Sequence, residues 1–189
     1  MSTVVHTNFL ESAKMLFAHY KWLGERTFEQ VDEAAIQWRP NETSNSMALL
    51  VHHMSGNMIS RFTDFLSTDG EKPWRNRDLE FEQSYPDKRS MLAAWEKGWA
   101  CVMETMNNLS PDDLHKLVYI RNEGHTVLEV IQRQLTHYAT HVGQIMAIAK
   151  WIAGDKWKSL TIPKGETKAF NAVKFSREKT RRHFTDRSK

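Results

Sequence analysis

Two histidines four residues apart, His137 and His141, stand within TVLEVIQRQLTHYATHVGQIMAIAKWIAG, the stretch from Thr126 to Gly154. On a helix that spacing puts both imidazoles on one face, about 6 Å apart at Cβ. Two ligands of one metal ion need that geometry. Two histidines do not complete a site, so a third ligand must come from elsewhere in the chain. The adjacent pair His52 and His53 offers one. Neighbours on a helix point about 100° apart, so at most one of them can face a shared interior site. His53 has Leu49 and Asn57 four residues to either side, whereas His52 shares its face with Ala48 and the Ser55/Gly56 side. Periodicity leans to His53.

These ligands need rigid elements to carry them. Thr126 to Gly154 predicts one long amphipathic helix with Thr126 as N-cap, Glu129 completing a capping box and Gly154 as the stop. Leu128, Ile131, Leu135, Tyr138, Val142, Ile145, Ile148 and Ile152 form its buried stripe. A first helix is expected from Thr7 to Phe28, and a second from Met47 to Leu66 after the polar residues 41–46. A third follows Pro86-Asp87 and runs to Asn108, its Trp and Met residues facing inward. Ser110-Pro111-Asp112-Asp113 signals only a short helix, and Val118 and Ile120 could be extended before a turn at 122–124. His115 and His125 in this connection are expected to be exposed. After Gly154 helical periodicity is lost, and Trp157, Leu160 and Ile162 read as an irregular arm packed over the helices.

Bulk properties frame the chemistry. At 189 residues with 40% hydrophobic and 26% charged positions, the chain fits a single domain over 1–189 with a core of its own. The lone Cys101 excludes an intramolecular disulfide, and no membrane-length apolar run or signal-peptide layout is present. A cytoplasmic protein with no membrane partner is expected. The net charge of +3 is concentrated in a basic tail after Lys164. Aromatic residues are not interleaved there as in a stacking platform, so nucleic acid is not the expected partner. The loop from Ser67 to Tyr85 is long, contains Gly and Pro, and is dense in both charge signs. Trp74, Arg75 and Arg77 in it are candidates for a pocket rim; the alternative is a solvent-exposed crossover.

The histidine pattern carries a resemblance. H-M-S-G-N-M from His53, followed by H-Y-A-T-H-V-G-Q from His137 to Gln144, resembles the DinB-like (YfiT-like) superfamily. So do S-M-A-L-L-V-H-H-M at the opening of the second helix and S-P-D-D-L later on. D-G-E-K-P-W-R-N-R-D and W-K-S-L-T-I-P-K-G are similar to a branch of uncharacterised function. The resemblance implies an all-α four-helix bundle with one long crossover loop, often a homodimer. It also implies a divalent metal, zinc or nickel, held by His53, His137 and His141. Reactions in the superfamily include thiol transfer with low-molecular-weight thiols, maleylpyruvate isomerisation and hydrolysis.

Three neutral imidazoles leave coordination positions open, the arrangement of a catalytic rather than a closed structural site. Asn57, Arg61 and Tyr138 are the candidate pocket residues. Asn57, Gln144, Asp64 and Glu129 are candidate acceptors for the outer ring nitrogens of the ligands. The general base of H-E-x-x-H is absent, because Tyr138 follows His137, and there is no phosphate loop or G-x-S-x-G elbow. The expectation is a metal-dependent transferase or hydrolase acting on a small molecule, with an anionic one favoured by the loop arginines and basic tail. The alternative is a metal-binding stress-response or ligand-binding module without turnover.

Overall fold

The computed structural model describes residues 2–82 and 84–186. Six helices and one two-stranded hairpin follow one another. Helix α1 spans Ser2–Phe28, α2 Met47–Phe62, α3 Leu79–Glu82, α4 Lys88–Asn108, α5 Val127–Ala153 and α6 Thr167–Phe175. The hairpin strands are β1 (Leu117–Ile120) and β2 (Glu123–Thr126). Helix α2 packs on α4 and α5, and α1 packs on the same two, so the four long helices close a ring.

Local signals set the helix boundaries. Ser46 caps α2 by accepting the Leu49 amide at 3.2 Å, and Asp87 caps α4 by accepting the Ser90 amide at 2.6 Å. Thr126 and Glu129 form the reciprocal capping box at the start of α5, and Gly154 ends that helix at φ +52°. The ammonium of Lys88 donates to the carbonyls of Phe28 and Val31 just beyond α1, which ties the start of α4 to the end of α1. Helix α2 ends four residues earlier than its sequence suggests, because Asp64 turns the chain at φ +48°.

Inside the ring the core is aromatic. Phe17, Trp95, Trp99 and Tyr138 are each no more than 1% exposed. Trp99 lies 5.6 Å from Tyr138 and 5.5 Å from Trp95, ring centre to ring centre, in edge-on contacts favoured by the ring quadrupoles. Phe17 from α1 closes the group at 6.0 Å from Tyr138. This places a rigid floor of rings one residue away from His137 on α5.

The connection from α2 to α4 is exposed over much of its length but anchored at a few points. Lys72 and Glu80 are buried, and α3 packs on α2. Its anchor is the hairpin, whose two-residue turn, Arg121 and Asn122, has φ +57° and +62° as a type I′ turn requires. Both turn amides donate to the Asp69 carboxylate at 2.9 Å, and the Gly70 amide donates to the Tyr119 carbonyl at 2.8 Å.

The C-terminal arm differs from expectation by containing α6. No residue of that helix is buried, so it has no inward stripe for periodicity to reveal. Trp157 and Leu160 do pack on the core, and Ile162 is 39% exposed. The basic tail folds back on α1, where Arg181 donates to Asn8 at 2.6 Å and His183 meets Ser12 at 3.1 Å. Among the described residues no helix is long and apolar enough to cross a membrane.

Candidate metal centre

Helix α2 delivers His53 and α5 delivers His137 and His141 to one point, where one ring nitrogen from each lies within 4.8 Å of the others. The Nε2 of His137 is 3.2 Å from that of His53 and 3.0 Å from that of His141. His53 is 5% exposed, and the other two are half-buried. His52 turns away, its ring 5.2 Å from Tyr85. The 100° rotation between neighbours on a helix therefore selects His53.

The outer nitrogens decide what those Nε2 atoms can do. His53 Nδ1 is 2.9 Å from Glu80 Oε2, His141 Nδ1 is 2.8 Å from Gln144 Oε1, and His137 Nδ1 is 3.4 Å from Gln134 Oε1. A carboxylate only accepts, so Nδ1 of His53 carries the proton and its Nε2 presents a lone pair. The Gln144 oxygen at 2.8 Å favours the same tautomer at His141, and the more distant Gln134 oxygen at 3.4 Å supports it only weakly at His137. Burial, with the neighbouring rings of His141 and His53, pushes the pKa of His137 down to about 3. Burial also lowers His141, against the bond to Gln144. Both rings are therefore neutral at pH 7.

Three lone pairs within 4.8 Å of one another, two of them about 3 Å from the third, repel unless a cation lies between them. Zinc–nitrogen bonds of 2.0–2.1 Å place tetrahedral ligands about 3.3 Å apart and neighbouring octahedral ligands about 2.9 Å apart. The separations of 3.0 and 3.2 Å fall in that range. The donor set fits a divalent ion preferring imidazole.

Glu80 is held as firmly as the ring it serves. Arg75, its side chain 2% exposed, grips the carboxylate with Nε and Nη2, each at 2.8 Å. Burial pushes the Glu80 carboxyl up, but the bonds from Arg75 and His53 outweigh it and leave the pKa below the usual range. Gly56, one turn from His53, makes the space. A Cβ there would meet Glu80 Oε1 and lie 2.9 Å from its Cδ. Gly143 has no neighbour of that kind.

A cavity of about 410 Å³ opens beside two of the three rings, lined by His53, His137, Asn57, Gln134 and five arginines among others, while His141 lies outside its lining. Of the candidate pocket residues, Asn57 and Arg61 line it. Tyr138 does not; it is fully buried beneath, and its hydroxyl donates to Asn57 Oδ1 at 3.1 Å. Burial raises that phenol well above its usual pKa, so it remains a donor. From the crossover, Arg75 and Arg77 line the cavity, while Trp74 stands 59% exposed outside it.

Of the candidate acceptors only Gln144 takes that role. Glu129 is occupied in the capping box, and Asn57 receives Tyr138. Glu80 and Gln134 are acceptors that the sequence reading does not name. Gln134 stands one turn before His137 on a helical row, a signal that was available. Glu80 has none, being 27 residues from His53 on a four-residue helix.

Residues 4–166 match the model of the family described as Protein of unknown function (DUF1572), and the chain belongs to that family. No curated protein and no solved structure matches the chain.

Proposed function

We propose that this member of the DUF1572 family is a divalent-metal-dependent enzyme of the DinB/YfiT-like type, catalysing thiol transfer or hydrolysis on a small molecule. In this reading residues 1–189 form a single domain whose ring of helices is a four-helix bundle, working in the cytoplasm as a homodimer. His53, His137 and His141 hold the ion, zinc or nickel. The observation that carries the reading is the convergence of three Nε2 lone pairs whose Nδ1 partners are all oxygens. The sequence resemblance to the DinB-like superfamily supports it.

When bound, the ion supplies Lewis acidity that makes a nucleophile of a water or thiol near neutral pH. The protein does the rest. Glu80 and Gln144 fix the tautomer and orientation of their rings, and Arg75 fixes Glu80. Tyr138 occupies the Asn57 carbonyl, which leaves the Asn57 NH2 as that residue's remaining donor at the cavity wall. The cavity matches a small molecule rather than a polymer.

One observation favours a second reading, a metal-bearing binding module without turnover. Among the described residues no Asp, Glu, Cys or Lys lines the cavity, so the wall supplies no evident general base. Elemental analysis of protein purified without a metal-affinity tag tests the shared premise. About one equivalent of zinc or nickel is expected, kept by His52→Ala and lost by His53→Ala and by His137→Ala/His141→Ala. Wild type that stays empty after incubation with either metal overturns both readings. Turnover of thiol-transfer or hydrolase substrates that disappears with the metal selects the enzyme.

A further inference from the structure

The cavity beside the histidines has an unusual charge balance. Arg61, Arg75, Arg77, Arg121 and Arg133 all line it, and no carboxylate does among the described residues. None of the five comes from the basic tail. Two carboxylates stand behind the wall. Glu80 pairs with Arg75, and Glu71 pairs with Arg61, Arg75 and Arg121. The five guanidinium groups outnumber the two carboxylates paired with them, with Asp69 also in electrostatic reach of Arg61, so positive charge is in excess around the cavity, and a bound divalent ion would add two more.

The five differ in what they are free to do. Arg75 is committed to Glu80. Arg61 is 5% exposed and held by the Gly70 carbonyl and Glu71, yet its Nε–H is buried with no acceptor from the protein. A buried donor without an acceptor is rare in folded proteins and marks a place where one is expected. Arg121 is 57% exposed beside Glu71. Arg77 and Arg133 have no carboxylate in reach among the described residues. Arg77 lies over the Phe81 ring at 5.1 Å, and that ring in turn lies 4.6 Å from His53. The stacked Arg77 thus borders the ligand shell with its donors unspent.

We infer that the substrate of this site is a small, multiply charged oxyanion, held by Arg77 and Arg133 at the cavity mouth with its reacting group over the histidines. The inference rests on the metal-site reading and names its substrate class. Guanidinium forks recognise carboxylates and phosphates alike by paired N–H···O bonds, so a polycarboxylate and a phosphate ester share this chemistry. A neutral molecule would leave that excess of positive charge uncompensated in a partly desolvated cavity.

Inorganic phosphate and succinate, with neutral succinamide as control, are titrated calorimetrically into wild type, Arg77→Gln, Arg133→Gln and the two Lys variants. Metal content is measured on every sample. Both arginines are exposed, so the fold should survive, and circular dichroism checks it. At least one anion should bind, and succinamide should not. Each Gln variant should weaken binding about tenfold, and each Lys variant less, because Lys keeps the charge without the fork. The tighter of the two anions identifies the chemical source. Wild type that carries metal but binds neither anion, or Gln variants that bind as wild type does, overturns the inference and leaves the metal reading standing. Wild type that stays metal-free after incubation with zinc or nickel yet binds an anion through these arginines overturns the metal reading and keeps the anion site.

Discussion

Gly56→Ala isolates the support of the proposed metal centre from the three histidines themselves. The new methyl carbon would sit 2.9 Å from Glu80 Cδ and closer still to Oε1. Carbon–carbon contact is comfortable at about 3.5–4.0 Å, so the carboxylate must retreat by about 0.6–1.1 Å. Glu80 cannot swing away freely, because two bonds from Arg75 and one from His53 fix it at 2.8–2.9 Å. The same retreat stretches those bonds to about 3.4–4.0 Å, beyond useful hydrogen-bond length. Loss of a partner that orients a ligand costs about 10–100-fold in metal affinity, or about 1.4–2.8 kcal/mol. The backbone effect has the opposite sign, since Ala in a helix interior is favoured over Gly by about 0.8–1.0 kcal/mol. Zinc affinity should therefore fall, and the metal-free protein should also melt lower, because the gain from Ala does not offset a loosened buried ion pair. Competition against a chromophoric chelator measures the first and a thermal scan the second. Affinity within about threefold of wild type in a correctly folded variant would refute the claim that Glu80 orients His53 for the metal.

Three further outcomes follow from other parts of the structure. Thr126→Ala removes the acceptor for the Glu129 amide and half of the capping box, and should cost about 1 kcal/mol in chemical denaturation. Asp113 is held down to about pKa 2, first by Lys116 and then by Ser110, so its contribution is complete above its ordinary pKa of 3.8 and is lost as pH falls toward 2. Lys116 is exposed, which screens the pair to about 1 kcal/mol or less; Asp113→Asn should flatten the pH dependence of stability in that window. Asp69→Ala strips the acceptor from the turn amides of Arg121 and Asn122, and should raise hydrogen exchange across 119–123 and in the Ser67 to Tyr85 crossover together.

The parts of this protein legible in its sequence are those governed by contacts within one element. His137 and His141 are neighbours on a helical row, the Thr126–Glu129 box is three residues long, and His53 is chosen over His52 by rotation alone. The ends of α4 and α5 follow from Asp87 and Gly154 for the same reason. Features resting on contacts across the chain are not legible. Glu80 reaches His53 through a fold-back that no periodicity marks, and Gly56 is indistinguishable in sequence from a glycine that serves helix packing. Helix α6 escapes because it buries nothing. The hairpin turn falls at Arg121 and Asn122, one residue before the Gly-containing stretch that suggests it, because Asp69 from far upstream accepts both turn amides.

That fold-back also divides the centre between two parts of the chain. The three rings meet as soon as α2 and α5 pack, which requires only the helices. The acceptor that sets the His53 tautomer belongs to the crossover, and it reaches the ring only with the crossover docked on the hairpin and Glu80 under Arg75. Without that docking, the proton of His53 is free to occupy either nitrogen, and the ring presents its lone pair to the site only part of the time. Metal uptake should therefore depend on the docked crossover as well as on the helices, making the ion a reporter on the joining of the two.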